Sequence, residues 1–303
     1  MKSVYILLIL GLMTSLIPEG AFPMSVKVGL VQVATKAFDV EYNYTRTEKL
    51  IREAAAGGAS LIITPECVLS GYAVAWRNQP DFENRVNKVK ALAEPIPGPH
   101  SNRLAALAKE LGVYIVFGMP EAGSDGRMYN TAILAAPDGT IAGKYRKVHL
   151  RPFEMENGFT RGEEFKVYDI EPAGVPLKLG IMICFDREIV ESARVLRLLG
   201  ADVIAMPLAT SAAKDNIVRM MTRVRAYENE LYVIMVNHAA PRIDGGSLLA
   251  DPDGNLELLT GPEEDVFYGI IDPGKIDKVR GQIPDNNLSL EHRNPKAYGP
   301  LCK

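Results

Sequence analysis

Cysteine is scarce in this chain. Cys67, Cys184 and Cys302 are the only three in 303 residues. They are too few and too odd in number for a disulfide framework, which suits a reducing compartment. Long apolar runs are lacking too, apart from Val4 to Ile17 behind Lys2, which is short for a membrane span. A formal net charge of −3, with the basic residues scattered, gives no nucleic-acid footprint. No Ser/Gly-rich linker, charge block or shift in composition divides the chain. There is no Cys-x-x-Cys, no His-x-x-x-His and no dense carboxylate cluster, so neither a metal nor any other cofactor is expected. The Gly-x-Ser-x-Gly elbow does not occur. Gly139-Thr-Ile-Ala-Gly143-Lys144 falls one residue short of a phosphate loop, and Tyr145 follows where Ser or Thr is needed. None of His100, His149, His238 or His292 has the context of a cysteine protease's paired histidine.

What is present is enough apolar material, 47% of the residues, to bury a large core. Strand-like and helix-like segments alternate. Val26–Val33 reads as a strand, Tyr42–Ala56 as a helix closed by Gly57-Gly58, and Leu61–Thr64 as a strand. Ser101–Leu111 reads as a helix stopped by Gly112, with Val113–Met119 the next strand. Two hairpins then share one formula, Pro137-Asp138-Gly139 and Pro252-Asp253-Gly254 between apolar runs. Proline presets φ, aspartate supports the turn and glycine accepts positive φ. Gly57-Gly-Ala-Ser-Leu-Ile-Ile-Thr-Pro65 also matches Leu199-Gly-Ala-Asp-Val-Ile-Ala-Met-Pro207. The pattern points to an internal duplication. Two similar halves, each a sheet faced by helices, predict an α/β fold, a four-layer α-β-β-α sandwich.

Residues 24–303 are expected to form a single domain, with 1–23 outside it. Lys2 and the following apolar run have the form of a signal peptide. However, Glu19-Gly20-Ala21 puts an acid where cleavage wants a small residue. An upstream start and a cytoplasmic location are expected, with export as the alternative.

Three segments deliver reactive groups. Leu179–Cys184 reads as a buried strand, and Phe185–Arg194 as an amphipathic helix with Ile189, Ala193 and Leu196 at helical spacing. A thiol at that junction faces the N–H groups of a helix start, which favour thiolate. Its plain alternative is a small buried hydrophobe. Ala59–Glu66 is an apolar strand ending in a carboxylate, and Gly143–Leu150 delivers Lys147 from a strand of alternating charge. Taken singly, Glu66 reads as a solvated loop acid and Lys147 as a surface cation.

Together, in the order Glu, Lys, Cys at three strand ends, they resemble the nitrilase superfamily of carbon–nitrogen hydrolases. The resemblance runs from Met24 to Leu301. It includes the Arg225-Ala-Tyr-Glu-Asn229 helix, Pro207, and the Arg293-Asn-Pro-Lys-Ala-Tyr-Gly299 tail. It implies the same sandwich, a homo-oligomer of two or more copies, a small-molecule amide, N-carbamoyl or nitrile substrate, and no nucleic-acid or membrane partner. It implies Cys184 as a nucleophile forming a thioester, Glu66 as general base, and Lys147 with a backbone N–H after Cys184 at the oxyanion. Glu154, seven places after the lysine, would orient Lys147; Glu156 is a rival, and a loop acid the plain reading. Tyr72, His149 and Phe185 would line the pocket, with His149 read more readily as a supporting hydrogen-bond group. Arg187 would select substrate carboxylates, or form an internal salt bridge with Asp186, Glu188 or Glu191.

Cys184-Phe185-Asp186, in place of Cys-Trp-Glu, favours amide or N-carbamoyl hydrolysis over nitrile hydrolysis. A catalytically idle scaffold is the alternative from another class. Ile189-Val190-Glu191 stands where relatives carry Phe-Pro-Glu, so a slightly altered helix start is expected there.

Overall fold

Alternate residues of the first strands face opposite ways, and each set has its own core. The computed structural model describes residues 25–211, 216–281 and 290–302. In it β1 (Val26–Gln32), β2 (Leu61–Ile63), β3 (Tyr114–Ala122), β4 (Met128–Ala135) and β5 (Ile141–Arg146) are consecutive in one sheet. Val28, Leu30, Leu61, Ile63 and Val116 belong to one core, and Val31, Ile62, Ile115 and Phe117 to the other. That is the period of a strand. The second set packs on Ile51 and Ala54 of α1 (Val40–Ala56) and on Leu104 and Ala108 of α3 (Pro99–Leu111). The shorter α2 (Phe82–Lys90) lies between those helices in the chain, and β6 (Phe159–Thr160) pairs with β4.

The first set faces a second sheet. It runs β7 (Val167–Ile170), β8 (Leu177–Ile181), β9 (Val203–Pro207), β10 (Tyr232–Val236), β11 (Leu248–Ala250), β12 (Leu256–Leu259). Leu179, Ile181, Val203 and Ala205 share a core with β1 and β2, and Ala193 of α5 (Val190–Leu198) and Ala226 of α6 (Asn216–Asn229) join it. The result is a four-layer sandwich. The halves match strand for strand. With β13 (Asp265–Ile271) antiparallel on β1, both sheets read one antiparallel edge pair, two parallel pairs, then two antiparallel pairs. The register shifts at equivalent places, Leu134/Ala135 and Leu249/Ala250, just before the two Pro-Asp-Gly turns. Gly139 and Gly254 there take φ of +88° and +75°, open to glycine without a Cβ penalty.

Several expectations need adjusting: α3 begins two residues early at Pro99 and β3 is Tyr114–Ala122, not Val113–Met119. α1 begins two residues early, because the Asp39 side chain accepts from Tyr42 N–H at 3.2 Å and caps it. The strand before Cys184 ends at Ile181. The helix after it is two pieces: a 3-10 turn over Cys184–Glu188, then α5 from Val190, parted by extended Ile189 (φ −98°, ψ 110°). The segment 1–23 lies outside the described residues, as do 212–215. Among the described residues no helix is long and apolar enough to cross a membrane.

Candidate active site

Two residues past β2, Pro65 turns the chain so that Glu66 leaves the first sheet and ties to residues just past β9 and β10 of the second. Its N–H donates to Leu208 O at 3.3 Å, and its carbonyl accepts from His238 Nε2 at 2.8 Å. Burial pushes the pKa of His238 down to about 3, so the ring is neutral. Since Nε2 donates, Nδ1 accepts from the Thr35 hydroxyl at 2.9 Å.

Lys147 leaves β5 with its N–H on Asn130 O at 2.8 Å. Its Nζ donates to Glu66 Oε1 at 2.7 Å and to both oxygens of Glu154 at 2.9 and 3.0 Å. All three side chains are wholly buried. Asn130, in β4, closes the cluster: Nδ2 donates to Glu66 Oε1 at 2.7 Å and to Glu154 Oε1 at 3.1 Å. Arg151 N–H adds a bond to Glu154 Oε2 at 2.9 Å, at the start of α4 (Pro152–Glu156). Both oxygens of Glu154 are thereby engaged. Glu66 Oε2, equally buried, has no partner among the described residues.

The charges follow from this packing. Burial raises Glu66 above the usual carboxylate range, with Lys147 pulling it back and Glu154 adding to the rise. Burial works against the Lys147 charge, but Glu66 and Glu154 outweigh it and hold the lysine above its ordinary range. The lysine keeps its proton, and the Glu66 carboxyl binds one more readily than a free carboxylate does. Glu156 stands apart, paired with Arg77 at 2.8 Å near the surface. Glu154 is the acid that reaches Lys147.

Cys184 is the first residue of the 3-10 turn and has φ +45°, left-handed backbone in a residue with a Cβ. Asp186 holds the turn. Its Oδ2 accepts from Ile183 N–H at 2.9 Å and from the Tyr145 hydroxyl at 2.7 Å; its Oδ1 accepts from His149 N–H and Nδ1, both at 2.9 Å. The segment that follows Lys147 is thus fastened to the turn that carries the thiol. Burial, then the Glu66 charge, push the thiol up to about 12, and Lys147 and Arg187 offset this in part. This corrects the picture of a thiolate at a helix start. A five-residue 3-10 turn has little dipole, and desolvation wins. The resting group is a neutral thiol.

The remaining candidates have these places. The Arg187 side chain is buried, pairs with Glu188 at 3.1 Å through Nη2, and donates from Nη1 to Cys184 O at 2.8 Å. The alternative internal salt bridge is therefore present, to Glu188. His149 is partly exposed and turned to Asp186. Tyr72 is partly buried, and desolvation, then the charges of Glu66 and Glu154, raise its hydroxyl well above its usual range. Phe185 lies under the Arg151 guanidinium, 5.2 Å from ring centre to carbon. A buried carboxylate with one open oxygen, a fixed ammonium and a thiol within their field are the parts of covalent attack with proton transfer.

The family model for carbon-nitrogen hydrolases matches residues 27–281. The chain belongs to the carbon–nitrogen hydrolase family. It is 38% identical over 281 residues to a nitrilase of Pyrococcus abyssi, covering 90% of this chain and 99% of that one. It is 30% identical over 280 residues to the omega-amidase NIT2 of Homo sapiens, covering 86% and 93%. Among solved structures it resembles Saccharomyces cerevisiae Nit3, a member of branch 10 of the nitrilase superfamily. There the TM-score is 0.76 and identity 25%, over 89% of this chain and 97% of the other.

Two residues of this carbon–nitrogen hydrolase's cluster, Asn130 and His238, were given no part in it by the sequence, and Asp186 was read only as part of the Cys184 motif and as a partner for Arg187, not as the clasp of the turn. Asn130 had a readable signal, a polar side chain inside the apolar run Met128–Ala135, where burial demands partners. His238 and Asp186 had none of that kind.

Proposed function

We propose that this carbon–nitrogen hydrolase is a thiol-dependent amidohydrolase. It cleaves the carbon–nitrogen bond of a small linear amide or N-carbamoyl compound through a Cys184 thioester. The observation that carries this reading is the open oxygen of Glu66, buried beside a saturated Lys147–Glu154 pair. A carboxylate kept short of one donor, in the field of a neutral thiol, is a proton acceptor in waiting.

In the first half-reaction Sγ of Cys184 attacks the carbonyl carbon while its proton passes to Glu66. Lys147 and the N–H of Phe185 face the oxyanion. Glu154 and Asn130 keep the lysine aimed. As the intermediate collapses, the carbon–nitrogen bond breaks and Glu66 gives its proton to the departing nitrogen. Water then attacks the thioester, yielding a proton to Glu66, and the carbon–sulfur bond breaks. The thiolate recovers the proton, and the sum is amide plus water giving acid plus amine. A thiol pushed to about 12 fits proton transfer concerted with attack.

Tyr72, His149, Phe185 and Arg187 are proposed to border the substrate, and residues 24–303 to act as one domain in a cytoplasmic homo-oligomer. The likeness to the Pyrococcus abyssi nitrilase favours nitrile hydrolysis as the second reading. Incubation with a panel of amides, N-carbamoyl compounds and nitriles, following ammonia and carbon dioxide, tests both. Carbon dioxide with ammonia marks an N-carbamoyl substrate, and ammonia alone an amide or nitrile. Neither gas from any compound would leave an idle scaffold.

A further inference from the structure

Arg187 is 3% exposed, yet Glu188, the carboxylate that meets it, lies nearer the surface and takes only Nη2. Nη1 turns the other way, donating to Cys184 O at 2.8 Å and lying 3.6 Å from Sγ. Glu188 is the one carboxylate that meets this guanidinium among the described residues, and for a sealed ion pair the desolvation cost can exceed the Coulombic gain. The cysteine side sets its position. Behind it, Arg225 of α6 donates from Nε and Nη2 to Arg187 O at 3.2 and 3.1 Å, with Nη1 on Glu228 at 2.9 Å. One arginine thus braces the backbone of the next, whose side chain grips the carbonyl of Cys184. Left-handed backbone in a residue with a Cβ is costly and persists only where its surroundings over-determine it. The grip on the Cys184 carbonyl is such a constraint.

We propose that Arg187 is a second cation of the reaction centre: braced by Arg225, it holds the strained Cys184 backbone and presents positive charge to the sulfur as thiolate develops. This rests on Cys184 as the nucleophile. The charged and titratable groups that act on this thiol are Glu66, which opposes thiolate, Lys147 and Arg187, which favour it, and Cys67 and Tyr72 beside it. Nη1 and Nη2 of Arg187 are engaged inside the protein and Nε alone has no partner among the described residues, so no pair of free nitrogens is left for two-pronged recognition of a substrate carboxylate.

The test is alkylation of Cys184 in the full chain between pH 6 and 10, with neutral iodoacetamide and anionic iodoacetate. The modified peptide is identified by mass, so that Cys67 is not counted. Arg187→Met should slow iodoacetamide about tenfold or more and lower the iodoacetate-to-iodoacetamide rate ratio several-fold, because the anion loses an attracting charge. Arg187→Lys should restore most of the ratio while amide turnover stays roughly tenfold down, since an ammonium cannot grip the carbonyl and face the sulfur together. Arg225→Lys should act in the same direction more weakly, and in all three the loss should fall on kcat with KM within about threefold. A ratio that does not move, with kcat tracking thermal stability alone, overturns the proposal in favour of a structural role. Unchanged alkylation with a KM rise confined to anionic amides overturns it in favour of substrate recognition. If Arg187→Met does not fold, Arg187→Gln, which removes the charge and keeps a polar head group, is read by the same ratio. Alkylation needs no turnover, so a protein that cleaves no amide would sink the hydrolytic reading and leave this result readable.

Discussion

Lys147 meets Glu66 through Oε1 at 2.7 Å, while Oε2 of the same buried carboxylate meets nothing among the described residues. Leaving a buried polar atom unpaired costs about 1–3 kcal/mol, so the open oxygen is a standing destabilisation that a purely structural carboxylate would relieve. Glu66→Gln keeps the shape and removes the ability to take a proton. Turnover should fall by about 10²–10⁴ with KM little changed. Steady-state kinetics on any cleaved amide check this, and wild-type rates in Glu66→Gln would return Glu66 to a scaffold role.

Cys184→Ala should abolish turnover, a loss on the order of a million-fold, and leave the melting temperature within a few degrees. In the wild type, burial holds the thiol near 12, so iodoacetamide labelling of Cys184 should rise about tenfold per pH unit from pH 6 to 10 without levelling. A plateau below pH 9 would show a resting thiolate instead.

Asn130→Asp places a third carboxylate against the two that already share one lysine. Like charges at that spacing cannot all ionise, so stability at pH 7 should drop by roughly 2–4 kcal/mol and kcat by about 10–100-fold. Urea denaturation and kinetics at pH 6 and 8 check the sign. The acid that must stay protonated loses its proton as pH rises, so the defect should be deeper at pH 8.

His238 gives a pH dependence of known sign. Its folded pKa, about 3, lies below the ordinary 6.5, so between those values the unfolded chain binds more protons. The stability it contributes is complete above pH 6.5 and drains as pH falls toward 3, by up to about 1.4 kcal/mol per unit. His238→Gln offers Glu66 O a donor and does not titrate. Denaturation at pH 6.5, 5.5 and 4.5 should show the wild-type advantage over the variant shrinking with each step; a constant gap would mean that His238 does not titrate in the unfolded chain alone.

Much of this was legible because it is local. Glu66 and Lys147 end apolar or alternating runs, and Gly57–Pro65 and Leu199–Pro207 repeat one another, so the alternation of strand and helix and the duplicated sandwich follow from short patterns. What stayed hidden is contact at long separation. Asn130 reaches Glu66 across 64 residues and His238 reaches it across 172, which no window of sequence registers. Cys184 misled for a different reason. The periodicity of Ile189, Ala193 and Leu196 is real, but it belongs to a helix that starts only at Val190, and the intervening turn leaves the thiol to burial instead of a dipole.

The matched sheets divide the chemistry between them. Glu66, Asn130, Lys147 and Glu154 come from the first half of the chain, Cys184, Arg187 and Arg225 from the second, and the Glu66 backbone is bonded to Leu208 and His238. On the proposed mechanism neither half owns a working centre, so activity should appear only after the two sheets dock, however early each forms its own strands. During refolding the thiol would remain an ordinary, solvent-accessible one until that moment, and the loss of its reactivity would time the docking step directly.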